Sequence, residues 1–264
     1  MKTGKISATY IDHMGSDLTV VNAARVSFDK ESTWEPIRDI HDCIIGYTEG
    51  VLQASDKNLI RFLARGYRSE EYEALARQFL ATENIEDIEE LIRTVRDKAQ
   101  HWAPFAHPHI QLRITVPLHI ARQLVKHQIG GVWSEVSRRY VASEPTFWFP
   151  EEWHTVPEED IKQGAGGVHP DSAEIQKLAA EVSDVCATMY EALIDRGVAP
   201  EEARVILPLN TMTTVVWTGS LLFWARVVNQ RLDGHAQLAA QEFAQLVHDI
   251  IKSLYPVSWG ELVG

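Results

Sequence analysis

Between residues 110 and 131 the chain carries the pattern that most constrains its architecture. Ile110, Leu112, Ile114 and Val116 are apolar, while Gln111, Arg113 and Thr115 between them are polar. A period of two predicts a strand with one face in a core. Pro117 follows, a residue suited to the first turn of a helix, and the helix is predicted to run to about Gln128 before Gly130-Gly131 breaks it. A half-buried strand that feeds directly into a helix calls for a sheet with helices packed on it. Further strands are predicted at Ile6–Tyr10, Leu18–Val21 and Tyr140–Val141, with a polar connection to about Pro36. Helices are predicted from Asp56, with a capping residue at its start, and at 69–81, 85–99, 171–196, 200–206, about 211–230 and about 235–253. The expected fold class is α+β, a modest sheet with surrounding helices in one compact domain over residues 1–264. Residues 143–170 are rich in Pro, Gly, Glu and Trp and read as a surface insertion.

Charge narrows the partners. Lys and Arg number 25 against 37 Asp and Glu, a formal net charge of −12. Nucleic acids and anionic membranes reward uniform positive charge, so neither is an expected partner. An anionic small molecule is compatible with this balance if arginines converge on one pocket. No apolar run reaches the roughly 18 residues of a membrane span. The first residues lack the apolar core of a signal peptide, and a cytoplasmic setting is expected. The two cysteines, Cys43 and Cys186, make neither a disulfide framework nor a cysteine-rich zinc site.

Four segments gather groups able to do chemistry. In the first, Gln123, Lys126 and His127 fall at i, i+3 and i+4, and Glu135, Ser137, Arg138 and Arg139 follow the glycine break. Paired arginines beside a Gly-Gly turn suit a nucleotide phosphate; a solvated helix end would look similar. In the second, Arg204 precedes an apolar run ending at Pro208, where it either pairs with Glu201 or points into a pocket. In the third, Ser220, Val227 and Arg231 share a helical stripe. Arg231 closes a strongly apolar helix, so Asp233, another carboxylate or an anionic or carbonyl-bearing ligand must balance it. The fourth holds His101, His107 and His109 within nine residues. Their spacing matches no helical or Cys/His metal pattern, and no metal is expected; the alternative is a metal-dependent nucleotide hydrolase built on these histidines.

Taken together, the four segments resemble one family, the flavin-dependent thymidylate synthases. That family's signature is Arg-His-Arg, seven or eight residues, then Ser, with Gln upstream and Arg-Tyr after. It stands here as Gln123, Lys126-His127-Gln128, eight residues, Ser137 and Arg139-Tyr140. The resemblance extends through Ala24-Arg25-Val26-Ser27, Leu59–Leu63, His101 with Pro104-Phe105 and His107, Ala203-Arg204 with Leu207–Asn210, and Arg231-x-Asp-x-His235-Ala236-Gln237. Both signature arginines are replaced, by Lys126 and Gln128, and Leu222 and Arg226 stand where the family has other polar flavin contacts.

The resemblance implies a reaction: deoxyuridylate (dUMP) is methylated to thymidylate (dTMP) with methylenetetrahydrofolate and NADPH through bound FAD. It implies that Gln123, Ser137, Arg139 and Arg204 bind dUMP, with Arg138 beside them, and that Glu135 touches both nucleotide and flavin. Arg231 is implied beside the uracil carbonyl as a catalytic group, and His101 near flavin and folate. Ser27, Lys126, His127, Gln128, Ser220 and Arg226 align with flavin-contacting positions. The family's homotetramers share active sites between subunits, which implies the same here. Thymidylate synthesis by the other known route needs a cysteine nucleophile; Cys43 in Ile-His-Asp-Cys-Ile-Ile and Cys186 beside Val185 and Ala187 do not suit that task.

Overall fold

The computed structural model describes residues 1–96, 100–157 and 164–263. In chain order the strands are β1 (Lys2–Thr3), β2 (Ser7–Met14), β3 (Trp34–Arg38), β4 (Ile44–Leu52), β5 (His109–Pro117), β6 (Gly131–Glu135), β7 (Thr146–Phe147) and β8 (Met212–Ser220). The helices are α1 (Asp17–Arg25), α2 (Ala54–Arg65), α3 (Ser69–Ala81), α4 (Ile85–Arg96), α5 (Leu118–Leu124), α6 (Ser172–Asp195), α7 (Pro200–Ala203), α8 (Leu221–Arg231), α9 (Leu238–Leu254) and α10 (Pro256–Val263). The class is α+β, as expected. Two compact units are present. One comprises Met1–Asp12, Gln111–Gly219 and Arg226–Ile250; the other comprises His13–Ile110, Ser220–Ala225 and Ile251–Gly264.

The first unit is organised by a four-stranded sheet in the order β2-β5-β8-β6. The alternation predicted for Ile110–Val116 is realised in β5, where Leu112, Ile114 and Val116 are fully buried. Its polar face is used too: Gln111 Nε2 donates to Thr218 Oγ1 at 2.9 Å, and the hydroxyls of Thr115 and Thr214 lie 3.1 Å apart. β8 corrects the expectation of one helix over 211–230. Thr213, Thr214, Val215, Val216 and Thr218 are β-branched and stiff at χ1, which favours a pleated strand. Burial alternates accordingly, with Val215 and Trp217 inside. β6 pairs antiparallel with β8, setting Trp133 opposite Trp217. The two indoles meet edge to face at 4.9 Å, and Trp217 stacks at 6.4 Å on Phe243 of α9.

Other boundaries also move. Leu18–Val21 is helical rather than extended, because Ser16 ends the strand and its backbone N–H is accepted by Thr19 Oγ1 at 3.0 Å. The helix after Pro117 stops at Leu124; Lys126 N and His127 N bond three residues back, to Gln123 O and Leu124 O. Tyr140–Val141 is a turn onto Ser137 O, and the strand comes earlier, at β6, once Gly130 has turned the chain at φ +88°. The helix expected over 85–99 is seen as Ile85–Arg96, residues 97–99 lying outside those described. In the segment 143–170, β7 pairs parallel with β1 and Phe147 is fully buried, while residues 158–163 lie outside those described.

The second unit packs α2 against α10 and α1, and carries a β3–β4 hairpin, of which only the start of β3 falls within the expected polar connection to about Pro36. α2 begins at Ala54, so Asp56 is not its cap but lies fully buried in its first turn. There its Oδ1 accepts from the Arg25 guanidinium and, at 3.1 Å, from Ser32 Oγ. Arg61 and Arg65 of α2 both pair with Glu261 of α10. At the start of α10 the orphan N–H groups of Val257 and Ser258 donate to the two oxygens of buried Asp17, at 2.9 and 2.8 Å. Asp17→Ala removes this cap and is expected to destabilise the protein by about 1–2 kcal/mol, lowering Tm by roughly 2–8 °C. Calorimetry on the variant checks this; an unchanged Tm would mean that α10 is held by its apolar contacts alone.

Candidate functional site

The first unit contains a cleft of about 1370 Å³ built on one helix end. His119, Arg122, Gln123 and Lys126 recur at helical spacing from α5 into the turns after it, and all four line the cleft. Facing them are Arg231 at the end of α8 and His235–Ala239 at the turn into α9. Trp148, Phe149 and Trp153, together with Leu178 and Val182 of α6, supply apolar wall. The segment 143–170 therefore contributes directly to the cleft. Trp153 is fixed there by two hydrogen bonds, its backbone N–H to Ser172 Oγ and its indole N–H to Gln176 Oε1, both at 2.8 Å.

The cleft gathers cations that lack ion-pair partners. Seven arginines elsewhere are paired: Arg25 with Asp56, Arg38 with Asp42, Arg61 and Arg65 with Glu261, Arg77 with Glu73, Arg93 with Glu89, Arg139 with Glu201. Arg122, Lys126 and Arg231 have no carboxylate partner among the described residues, although Glu152 lines the same cleft. Arg231 instead donates its Nε–H to Nε2 of His127 at 3.2 Å. Nε2 can accept only in the neutral ring protonated on Nδ1. Burial and then the charge of Arg231 push the His127 pKa down, in agreement with that tautomer. Burial also lowers the Arg231 pKa. Asp233 does not balance Arg231; it accepts the backbone N–H of His235 at 2.8 Å. Three cations facing apolar and aromatic walls, none of them ion-paired among the described residues, form a site for an anionic ligand bearing flat rings.

A second, smaller cavity of about 350 Å³ lies in the same unit, lined by Lys5, Glu135, Arg138, Arg204 and Thr213. Both oxygens of Glu135 are held, Oε1 by the Thr213 hydroxyl at 2.8 Å and Oε2 by the Trp133 indole N–H at 3.2 Å. Arg138 donates to Ser143 O at 2.9 Å, Arg139 pairs with Glu201, and Arg204 donates to the carbonyl of Glu201 at 3.3 Å rather than to its carboxylate. Ser137 Oγ accepts from Arg139 N at 3.3 Å.

Within one chain, then, the expected site residues are gathered unequally. Gln123, Lys126 and Arg231 line the large cleft, with His127 bonded to Arg231. Glu135, Arg138 and Arg204 line the small cavity. Gln128 and Arg226 are exposed. In the second unit, Ser27 is exposed on a short 3₁₀ turn, Val26–Phe28. His101 is exposed with its ring 5.4 Å from Phe62. Ser220 is buried and accepts from Phe223 N at 3.1 Å, opening α8. His109 Nδ1 contacts His107 O at 2.9 Å. Among the described residues no group of three or more His, Cys, Asp or Glu is placed to hold a metal ion.

Sequence reasoning missed His119, Arg122 and Trp148 as cleft residues. The signal for the first two was present, since both share the helical face of Gln123 and Lys126. Trp148 had none, because its place depends on the pairing of the adjacent β7 with β1. His235 belonged to a quoted motif but was given no role.

Comparison with known proteins follows the same residues. A family model described as thymidylate synthase complementing protein, Thy1, matches residues 9–257. A flavin-dependent thymidylate synthase of Kosmotoga olearia is 34% identical over 161 residues, spanning 60% of this chain and 69% of its own. Its counterpart from Wolbachia pipientis wMel is 28% identical over 257 residues, 96% of this chain and 72% of its own. The fold is similar to that of PolB, a UMP/dUMP methylase from Streptomyces cacaoi bound with 5-Br dUMP, with a TM-score of 0.70 at 23% identity over 99% of this chain and 96% of that one. The match from residue 9 to residue 257 places the chain in the Thy1 family, the flavin-dependent thymidylate synthases that its motifs resemble.

Proposed function

We propose that this protein methylates dUMP to dTMP with methylenetetrahydrofolate and NADPH, using FAD and no thiol nucleophile. The observation that carries this reading is the set of unpaired cations, Arg122, Lys126 and Arg231, in one aromatic-walled cleft of an otherwise acidic chain. The donor set fits a flavin dinucleotide. Arg122 and Lys126 suit its pyrophosphate, and the cleft exceeds the needs of a mononucleotide. Hydride transfer is the chemistry a bound flavin supplies.

The remaining steps belong to the chain's own groups. Arg231, desolvated and held by neutral His127, is positioned to favour negative charge developing on a uracil ring. Gln123, hydrogen-bonded to Gln237 Oε1 at 2.6 Å, orients the substrate beside it. Arg204, Arg139, Arg138 and Ser137 serve the nucleotide phosphate, Glu135 the junction of nucleotide and flavin, and His101 the folate side. Ser27, His127, Gln128, Ser220 and Arg226 contribute to flavin contacts. Neither cysteine lines the large cleft: Cys43 is exposed at the β3–β4 turn and Cys186 lies on α6. We further propose a homotetramer with shared sites, acting in the cytoplasm. The substrate residues fall in two cavities of one chain, and α6 exposes an apolar stripe, Leu178, Val182, Val185 and Met189, of the kind that other chains cover.

Three outcomes are expected. A Cys43→Ser, Cys186→Ser double variant should form thymidylate at nearly the parent rate; complete loss in a folded protein would overturn the thiol-free route. Arg204→Ala should chiefly raise the KM for dUMP, because a phosphate contact acts in ground and transition states alike, whereas Arg231→Ala should lower kcat by about 100-fold or more. Steady-state kinetics decide between them, and an effect of Arg204→Ala on kcat alone would contradict the phosphate role. The third outcome concerns His127. Its folded pKa is depressed, so on acidification the unfolded chain takes up the proton first. Its contribution to stability is therefore complete above the ordinary histidine range and falls as pH drops through that range toward the folded value. His127→Gln should flatten the Tm profile between about pH 7 and pH 5; an unchanged slope would show that this ring does not titrate against Arg231.

A further inference from the structure

The motif residues quoted above stop at Leu63 in α2 and resume at His101, and the chain between them makes an excursion. His101 N donates to Leu63 O at 3.0 Å, so α3 and α4 leave and return at the end of α2. The base of this excursion is tied down. The Tyr67 hydroxyl donates to Thr94 O at 2.8 Å, and the Arg65 guanidinium lies 4.7 Å over the Tyr72 ring. Leu91 of α4 is buried, yet Ile85, Ile92 and Val95 are 72%, 49% and 46% exposed, and Ile88 is half-buried. Ile85, Ile88, Ile92 and Val95 recur at i, i+3, i+7 and i+10, which sets them in one stripe about 80° wide. The same helical spacing places Glu86, Glu89 and Arg93 together along one flank of that stripe. Glu89 and Arg93 pair at 3.4 Å, but both are exposed, and a pair of that kind contributes little.

We propose that α4 is an interface, pairing antiparallel with α4 of a second copy of this chain about a twofold axis near Glu90. The order of apolar and charged groups along the helix selects that occupant. Antiparallel pairing sets Ile85 against Val95 of the second copy and Ile88 against its Ile92, so the stripe covers itself. A twofold contact also brings the same flank of each helix together with its direction reversed. Arg93 near one end therefore meets Glu86 and Glu89 of the second copy, and the contact repeats at the other end. A parallel pair would instead set Arg93 against Arg93 and acid against acid. The helix's own sequence, reversed, thus matches both its stripe and its charge order. The inference uses none of the dUMP or flavin roles and not the exposed stripe of α6, so its failure leaves them standing.

Disulfide cross-linking of the full-length protein tests this, in a Cys43→Ser, Cys186→Ser background that removes the native thiols. Positions 85 and 95 lie about 15 Å apart along one helix, too far for a disulfide within a chain. Both are exposed, so substitution there leaves folding intact. On mild oxidation the protein carrying Ile85→Cys and Val95→Cys together should form a covalent dimer on a non-reducing gel. With Ile85→Cys alone it should run as a single chain, because the antiparallel order holds the two thiols about 15 Å apart. Adding Arg93→Glu to the paired substitutions should slow dimer formation about tenfold, and Glu86→Arg added to that should restore the rate. The absence of covalent dimer with the paired substitutions would overturn the interface. Cross-linking as fast with Ile85→Cys alone, or a rate indifferent to Arg93→Glu, would overturn the antiparallel pairing on which the choice of a second copy rests.

Discussion

A guanidinium taken partly out of water without a carboxylate beside it costs free energy, and this protein bears that cost at Arg231. Its one hydrogen-bond partner among the described residues is a neutral imidazole, His127, which satisfies a donor but cancels no charge. The local construction follows from keeping that arrangement. α5 ends at Leu124 so that the following tight turns bring His127 to the end of α8, and Asp233, the nearest acid in sequence, is occupied in capping the next turn. Arg122 and Lys126 add two more uncompensated charges to the same wall. A chain with twelve more acidic than basic groups had carboxylates enough to pair all three. Leaving them unpaired concentrates positive potential that favours an anionic ligand, most strongly at the partly desolvated Arg231.

The sheet holds this wall in place. β5 delivers the chain into α5, and β8 delivers it into α8, so the two cation-bearing helix ends leave adjacent strands of one sheet. Hydrogen bonds between Gln111 and Thr218, and between Thr115 and Thr214, tie those strands by their side chains as well as their backbones. Register matters here because a slip of one residue would turn each strand's buried face outward and carry the helix starts with it. Glu135 on β6 depends on the same register, since its oxygens are held by Trp133 on its own strand and Thr213 on the next.

Some of this was legible in the sequence. The alternation in β5, the proline after it and the glycine break each reflect a local preference, and local preference was enough. The helix read over 211–230 failed for an instructive reason: its apolar content suited a helix, but the β-branched run from Thr213 to Thr218 made the first half a strand, and only pairing with β6 reveals that. Asp56 reads as an ordinary helix-start acid, and Asp17 precedes a stretch that reads as strand. Their burial as a cap for α10 and as the partner of Arg25 depends on contacts 240 and 31 residues away in the chain, which no local pattern carries. The motif residues Gln123, Lys126, His127 and Arg231 were found because their spacing is local to two segments. That His127 and Arg231 touch depends on the sheet order that sets β5 beside β8 and on the tight turns after α5.

The central claim is that ring activation comes from fixed positive charge with a flavin as the reductant, and not from a thiol. It is tested most directly by loading the protein with FAD, reducing it anaerobically, and adding dUMP with methylenetetrahydrofolate in a single turnover. The account predicts that flavin reoxidation and dTMP appear together in equal amounts, that the folate product is tetrahydrofolate, and that no nucleotide becomes attached to Cys43 or Cys186. Formation of dTMP with dihydrofolate as co-product while the flavin stays reduced, or a dUMP–cysteine adduct in the quenched protein, would contradict it.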